Sequence, residues 1–184
     1  MPGVEQTDEQ IAYEVQKGDI ESFGLLMGRY EQKMIRYARK FLFRGDDVDD
    51  MVQDVFIKAY VNIKSLDTTR RFSPWLYRIA HNEFISAIRK KGRDRLMFLD
   101  LDLLFPHLRA KETADGDLHN QELQQMLNNG LSQLSPKYRE PLVLYYSEEM
   151  NYKEIADILK IPAATVGVRL NRGKQLLKKI IRKP

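Results

Sequence analysis

Five aspartates lie within the eleven residues DDVDDMVQDVF, at positions 46 to 56, in a chain whose overall balance is basic. If this segment is helical, an apolar stripe occupies one side and the aspartates point mainly the other way. The apolar stripe consists of Val48, Met51, Val52, Val55, Phe56, Ala59 and Ile63. Carboxylates arranged in this way could hold a divalent cation, bind a basic protein surface, or face water.

The residues around the aspartates favour a protein partner over a metal. Magnesium requires several oxygen ligands in octahedral array, and the sequence has no second aspartate-rich helix to complete such a cluster. Ile57 and Val61 fall on the same side as Asp50 and Asp54, so apolar groups interrupt the acidic face. This mixture suits a protein partner with a basic rim, while a solvated acidic face remains open as the simplest alternative. We expect neither a metal nor a cofactor.

A second segment, RRFSPWLYRIAHNEFISAIRKKGR at positions 70 to 93, combines aromatic, basic and amide side chains. At helical spacing one side can form a core stripe of Leu76, Ile79, Ala80 and Ala87. Another side carries Trp75, Arg78, Asn82, Ser86 and Arg89. Aromatic rings stack on unpaired bases, and arginine or asparagine contacts phosphates or base edges, so this side suits single-stranded nucleic acid. The alternative is a core role for Phe72, Trp75, Tyr77 and Phe84.

Helices must position both segments, because apolar residues recur at helical spacing almost throughout and strand-type alternation is hard to find. We predict an all-α protein with a helical domain at residues 1–95, a flexible linker at 96–119 and a second helical domain at 120–184. The linker contains the apolar stretch LMFLDLDLLF, whose role the sequence does not indicate. In the first domain we expect helices from a cap at Thr7 or Asp8 to Gly18, from Ile20 to Phe43, from a cap at Asp46 or Asp47 to Ile63, and from Ser73 and Pro74 to Lys91.

The second domain ends in a helix-turn-helix pattern. A helix from about Asn120 to Leu134 precedes SPKYREP, which starts three short helical stretches. The first helix of the pair is predicted at Tyr152–Leu159, KIPA forms the turn, and the recognition helix begins at Ala163 or Ala164. The residues expected to face inward are Ile155, Ala156, Leu159, Val166, Leu170 and Leu177. The residues expected to be more exposed are Thr165, Gly167, Arg169, Asn171, Arg172 and Lys174.

The composition limits the partner and the compartment. Residues 160–184 contain eight Lys or Arg and no Asp or Glu, so a polyanion is the expected partner of the C-terminal end. The chain has no cysteine, which excludes disulfides, thiolate metal sites and a cysteine nucleophile. The N-terminus lacks a basic segment followed by an apolar run, and no stretch approaches the roughly 18 apolar residues of a membrane span. We therefore expect a cytoplasmic protein without membrane insertion.

The order of these motifs resembles a known family. DVDDMVQDVFIKAYVNI, a short loop and FSPWLYRIAHNEFISAIRKKGR are similar to the second region of bacterial sigma-70 family sigma factors, in the extracytoplasmic-function (ECF) group. The resemblance implies that this region binds the β′ coiled coil of core RNA polymerase through Asp49, Asp50, Gln53, Asp54 and Ile57. It implies that the melted minus-ten promoter element is bound by Leu66, Arg71, Trp75, Arg78, Asn82 and Arg89.

The C-terminal half resembles the fourth region of the same family. The resemblance implies that the recognition helix reads the minus-35 duplex through Thr165, Gly167, Arg169, Asn171, Arg172 and Lys174, that the domain touches the β flap, and that an anti-sigma factor holds the protein inactive. Two departures put the promoter sequence in doubt. Ser86 stands where an aspartate is common, and Gly167 with Val168 stands where a Lys-Ser pair is common.

Two other functions compete with a promoter-specificity subunit that performs no covalent chemistry. A free-standing helix-turn-helix regulator would use residues 1–95 as a ligand domain, which should contain an apolar pocket with convergent polar groups. A magnesium-dependent prenyl-transferring enzyme would use the aspartates, but it lacks the second acidic cluster. No candidate catalytic residue emerges, so we expect a protein that is not an enzyme.

Overall fold

The computed structural model describes residues 6–40, 45–91 and 118–182, apart from the side chains of 45–47, 88–91, 118–122 and 124. Within these ranges the chain forms eight α-helices, one 3-10 turn at Ile63–Ser65 and no β-strand, so the all-α prediction is confirmed. The helices are α1 (Asp8–Gln16), α2 (Ile20–Lys40), α3 (Gly45–Asn62), α4 (Phe72–Lys91), α5 (Leu118–Ser132), α6 (Pro136–Tyr146), α7 (Tyr152–Leu159) and α8 (Ala163–Ile181).

The chain divides into two compact units. The N-terminal unit contains α1, α3 and most of α2, and follows α4 as far as Ile88, while the C-terminal unit contains α5 to α8. The predicted linker lies outside the described residues, except that α5 begins two residues before the expected Asn120. None of the described helices is both long and apolar enough to cross a bilayer.

Aromatic rings join the helices of the N-terminal unit. The ring of Tyr37 on α2 lies 4.9 Å from that of Tyr77 and 5.7 Å from that of Phe84, centroid to centroid, both on α4. The ring of Tyr30 on α2 lies 5.3 Å from that of Phe72 on α4, centroid to centroid, with the ring planes inclined at 67°. All five rings are buried. Such pairs add about 0.5 to 1.5 kcal/mol each beyond the burial of their area, so they fix α4 firmly against α2.

Two helix starts in this unit were predicted wrongly. Gly45 is already helical, so Asp46 and Asp47 belong to the first turn of α3 instead of capping it; the helix dipole favours carboxylates throughout that turn. Helix α4 begins at Phe72, before the Ser-Pro signal, because the Glu9 carboxylate accepts a hydrogen bond from the backbone N–H of Phe72 at 2.9 Å. The predicted end of α2 at Phe43 and the stop at Gly92 lie outside the described residues.

The C-terminal unit follows its local sequence signals closely. Helix α6 starts at Pro136 after Ser135, as expected, and α7 spans the predicted residues. Helix α8 starts at Ala163 but is 19 residues long, so the last of the three helices is not short. Arg139 of α6 is buried, and desolvation lowers the pKa of its guanidinium to about 10, which leaves it protonated at neutral pH.

Glycines allow the helices of the C-terminal unit to approach closely. A Cβ at Gly173 of α8 would lie 3.0 Å from Leu142 Cδ1 and 3.2 Å from the carbonyl oxygen of Tyr138, both on α6. A Cβ at Gly130 of α5 would lie 2.7 Å from Leu177 Cδ1 of α8. The cost in helix propensity at Gly173, about 1 kcal/mol, is therefore offset by close packing of α8 on α6.

Candidate protein-binding and DNA-binding surfaces

Helix α3 presents an acidic face that lies opposite its buried stripe. All seven residues of the predicted stripe are buried, which confirms the helical register. Asp49, Asp50, Gln53 and Asp54 are exposed, and Ile57 is 53% exposed. Val61, one turn further on, is 72% exposed, so carboxylates and aliphatic groups share one surface. We call Asp49, Asp50, Gln53, Asp54 and Ile57 the acidic surface.

Contacts on both flanks hold the acidic surface in place. On one flank the ring of Phe23 on α2 meets Phe56 at 6.5 Å and Tyr60 at 5.3 Å, centroid to centroid. On the other flank Lys58 forms an ion pair with Glu83 of α4. Lys58 lies four residues after Asp54, where it could have neutralised that carboxylate. In the structure Lys58 pairs with Glu83 instead, so it is directed away from Asp54.

The described side chains do not form a metal site. No group of three or more His, Cys, Asp or Glu residues among them could hold a metal ion. The side chains of Asp46 and Asp47 lie outside the described set. The expected absence of a metal therefore stays a prediction.

Helix α4 carries the candidate DNA-binding residues along one line. Arg78 and Asn82 are exposed and Trp75 is half-buried, with its ring 5.7 Å from that of Phe72, centroid to centroid. Trp75, Arg78 and Asn82 follow one another at three-residue and four-residue steps, which return to the same helix face. Arg71 is exposed immediately before the helix, and the side chain of Arg89 lies outside the described residues. The alternative prediction was that four aromatic residues of this segment belong to the core. It is confirmed for three of the four, namely Phe72, Tyr77 and Phe84.

The loop before α4 differs from expectation at Leu66. Its side chain is only 6% exposed, because it packs into the N-terminal unit directly after the 3-10 turn, and its contact with a DNA base stays a prediction. The tip of the loop is a turn in which the N–H of Arg70 donates to the carbonyl oxygen of Asp67. Asp67 also accepts hydrogen bonds from Thr69, which lower the pKa of its carboxyl group. Between the 3-10 turn and α4 the exposed basic residues are Arg71 and Arg70, the second of which was not singled out from the sequence.

Local signals position the helix-turn-helix. The Asn151 side chain accepts from the N–H groups of Lys153 and Glu154, and the Glu154 carboxylate accepts from the N–H of Asn151, which forms a complete capping box. Lys160 then turns the chain in a left-handed conformation with φ 55°, and Pro162 leads into α8. These features set where α7 ends and where α8 begins.

The inward residues of this motif are partly as predicted. Val166, Leu170 and Ile155 are buried, and Leu177 is half-buried. Ile158 is buried, while Ala156 and Leu159 are only half-buried. Near its C-terminal end α7 therefore turns Ile158 inward, where Leu159 was predicted. The missed signal was the spacing of Ile155 and Ile158, which are three residues apart.

The predicted recognition residues divide by exposure. Asn171, Arg172 and Lys174 are exposed, whereas Thr165, Gly167 and Arg169 are half-buried. Arg169 Nε is shielded from solvent and has no hydrogen-bond partner among the described residues. Val168, which the sequence reasoning left out of the surface, is 50% exposed. It lies roughly opposite Val166 and Leu170 on the helix, and that spacing could have identified it.

An aromatic cluster lies beside the recognition helix. A Cβ at Gly167 would lie 3.3 Å from Cε2 of Tyr152, the first residue of α7. The Tyr152 ring contacts Tyr145 at 5.6 Å, and Tyr145 contacts Tyr146 at 4.9 Å, centroid to centroid. All three tyrosines are exposed by at least a third. The absence of a side chain at Gly167 therefore makes room for the Tyr152 ring on this surface.

Comparisons with known proteins agree with the order of the two units. Residues 26–94 match the family model for sigma-70 region 2, and residues 124–177 match the one for sigma-70 region 4. The ECF RNA polymerase sigma factor SigW of Bacillus subtilis is 37% identical over 177 residues, which cover 92% of this chain and 94% of that protein. The ECF RNA polymerase sigma-E factor of Haemophilus influenzae is 30% identical over 177 residues, which cover 93% of each.

Solved structures give the same result. The sigma factor RpoE of Bartonella quintana, crystallised with the anti-sigma factor NepR, is similar with a TM-score of 0.72 and 26% identity over 89% of this chain and 98% of that chain. CnrH in complex with the cytosolic domain of CnrY has a TM-score of 0.69 and 25% identity, over 96% of this chain and 97% of that chain. The chain therefore belongs to the sigma-70 family of bacterial RNA polymerase sigma factors, in the extracytoplasmic-function group.

Proposed function

We propose that this ECF sigma factor acts in promoter-directed transcription initiation through three surfaces, each on a different helix. The acidic surface of α3 binds core RNA polymerase, the exposed line of α4 binds the melted minus-ten element, and α8 binds the minus-35 duplex. The observation that carries the proposal is the placement of an acidic face on α3 and a basic, amide and aromatic line on α4, both exposed, within one unit. One unit can then bind a protein and a polyanion at once.

The acidic surface fits a basic, partly apolar partner. Asp50 and Asp54 are one helical turn apart and supply the charge, while Ile57 at 53% exposure supplies apolar area that a partner can bury. Charge complementarity mainly speeds association and excludes wrong partners, and apolar burial supplies affinity. In the sigma-70 family the corresponding partner is the β′ coiled coil of the polymerase.

The line on α4 fits bases that have left the duplex. Unpairing and unstacking cost a few kcal/mol per base, and stacking on an aromatic side chain recovers about 1 to 3 kcal/mol. Trp75 is half-exposed, so its ring is partly open to a base, while Arg78 and Asn82 lie further along the same face for phosphates or base edges. Arg71 precedes them at the loop. The energy needed to hold the strand open then comes from binding.

Helix α8 fits the major groove of duplex DNA. Arg172, Asn171 and Lys174 are exposed on it, and arginine and asparagine are the side chains that most often form paired hydrogen bonds with base edges. We propose that these residues read the minus-35 element and that the same unit touches the β flap. Gly167 contributes no side chain, and the neighbouring Tyr152 ring occupies that part of the surface.

Regulation and location follow from the same family. Two similar structures contain a sigma factor bound to NepR or to the cytosolic domain of CnrY. We propose that an anti-sigma factor holds this chain inactive in the cytoplasm, where its polymerase works, and that the chain itself performs no covalent chemistry. The free-standing regulator is less well supported, because most of its expected ligand domain, residues 1–95, matches sigma-70 region 2 over residues 26–94.

The experiment compares Asn82→Ala on duplex and pre-melted promoters. On duplex DNA the loss of the amide should reduce open-complex formation by up to a few kcal/mol, and a bubble template should restore the part due to unpairing. Permanganate reactivity of promoter thymines and run-off transcription measure both. Gln32→Ala, an exposed amide on α2, is the control. If Asn82→Ala has no defect on either template, α4 does not bind the melted strand.

A further inference from the structure

We infer that Gln16 and Glu9 of α1 are positioning residues for minus-ten capture, because together they hold both ends of the loop that precedes α4. The inference rests on the proposed function, in which this loop and α4 receive the melted strand. Both residues precede residue 26, where the match to sigma-70 region 2 begins.

The first end of the loop is held by the side-chain amide of Gln16. Its Nε2 donates to the carbonyl oxygen of Ile63 at 2.8 Å and to that of Leu66 at 2.8 Å. Both protons of one NH2 group are therefore donated to two carbonyls, one at the first residue of the 3-10 turn and one directly after the turn. The Ile63 carbonyl also accepts from the N–H of Leu66, which closes that turn. The chain entering the loop is fixed in direction by three hydrogen bonds.

The second end of the loop is held by the carboxylate of Glu9. It accepts from the N–H of Phe72, the first residue of α4, whose amide has no partner inside its own helix. A carboxylate at this place also interacts favourably with the positive end of the α4 dipole. Trp75 lies within one helical turn of this contact. The hydrogen bond to Glu9 therefore holds both the start of α4 and the Trp75 ring in position.

Helix α1 is itself fixed well enough to serve as the support. Its first turn has a complete capping box between Thr7 and Gln10. Asp8 forms an ion pair with Arg29 of α2 at 2.7 Å and accepts a hydrogen bond from the hydroxyl of Tyr30. Its buried side chains are Ile11, Ala12 and Val15. The loop ends are thus tied to a helix that is tied in turn to the core.

Between the two anchors the loop is short and internally closed. Asp67 and Arg70 form a hydrogen-bonded turn, and Asp67 is further bonded to Thr69. The exposed residues of the tip, Arg70 and Arg71, are therefore presented from a loop whose shape is set before DNA arrives. Preorganisation of this kind strengthens binding because less conformational entropy is lost in the complex.

The test uses one isosteric and one truncating substitution in the whole chain bound to core polymerase. Gln16→Glu keeps the shape of the side chain but removes the donor, and Glu9→Ala removes the acceptor. Each should weaken capture of a single-stranded minus-ten oligonucleotide by about tenfold and accelerate hydrogen exchange of the amides of residues 66–72. Binding to core polymerase and to a minus-35 duplex should be unchanged. Glu9→Gln retains a carbonyl acceptor and should restore capture, which a general loss of stability would not do.

Control variants separate the possible failures. Gln32→Glu adds the same charge on the exposed side of α2 and should leave capture unchanged. If Asn82→Ala weakens capture but Gln16→Glu and Glu9→Ala do not, the inference about α1 is wrong and the proposed function stands. If hydrogen exchange of the loop is unaltered in both α1 variants, the anchoring is also wrong. If Asn82→Ala has no effect either, the proposed function itself fails.

Discussion

The two units of this sigma factor hold their helices together with different side chains. In the N-terminal unit large rings meet edge to face, as Tyr37 does with Tyr77, and the glycines of α2 have open space around them. In the C-terminal unit glycines sit at the helix contacts, as Gly173 does against Leu142. Ring packing leaves exposed helix positions free to vary, whereas glycine contacts make the position of α8 sensitive to a single added methyl group.

The binding residues are also positioned differently. The loop before α4 depends on hydrogen bonds from residues 47 to 63 positions away in the chain. The helix-turn-helix depends on neighbours in sequence, namely the Asn151 capping box and the left-handed Lys160. The proposed minus-ten surface therefore requires the whole N-terminal unit to be folded, while the turn that leads into the proposed minus-35 surface is set by residues close together in the chain.

A matched pair of glycine substitutions tests the packing comparison. Gly173→Ala should destabilise the protein by about 2 to 3 kcal/mol, because the new Cβ meets Leu142 at 3.0 Å and the backbone oxygen of Tyr138 at 3.2 Å. Gly28→Ala on α2 should instead stabilise it by about 0.5 to 1 kcal/mol, because a Cβ there meets nothing within 4 Å. Thermal and urea unfolding of both variants measure the difference. Equal effects of the two substitutions would contradict the comparison.

Arginines one turn apart on α8 test which side of that helix faces DNA. Arg172 is exposed, so Arg172→Ala should weaken minus-35 binding by about 1 to 2 kcal/mol without lowering the melting temperature. Arg169 is half-buried and its Nε is shielded, so Arg169→Ala should also lower the melting temperature through lost packing of the alkyl stem. Arg182→Ala, which removes an exposed charge at the end of α8, is the control for general electrostatics.

Fluorescence anisotropy with minus-35 duplexes at several salt concentrations, together with thermal melts, measures the arginine effects. A phosphate contact makes the salt dependence shallower, whereas a base contact depends on the promoter sequence. If Arg169→Ala affects DNA binding alone and Arg172→Ala affects stability alone, the assignment of the two faces of α8 is reversed.

The sequence predicted best those features that depend on residues close together in the chain. The bounds of α7, the start of α8 and the buried stripe of α3 follow from capping signals and helical spacing, and they are confirmed. The start of α4 was missed because the carboxylate that fixes it belongs to Glu9, far earlier in the chain. The burial of Leu66 was also missed, because it depends on the folded N-terminal unit, in which Gln16 binds the Leu66 carbonyl oxygen.

Chemical character alone also failed to separate surface from core. In α4 the rings of Phe72, Tyr77 and Phe84 are buried, and only Trp75 of the four candidates is partly open. Helical spacing had placed only Trp75 on the side predicted to bind nucleic acid, but the sequence left a core role open for all four rings, and only the folded chain separates them. Gly167 could be recognised as a departure from the common recognition-helix pattern, but its neighbour Tyr152 could be found only from the folded chain.

The most direct test of the account is polymerase binding by the acidic surface. Asp50→Arg combined with Asp54→Arg reverses two exposed charges opposite the buried stripe of α3, so helicity should not change. The control, Glu31→Arg combined with Asp157→Arg, makes the same change in net charge at exposed positions of α2 and α7. Pull-down of core RNA polymerase should be abolished by the first pair and retained by the second. Undiminished capture by the Asp50 and Asp54 variant would contradict the assignment of this surface.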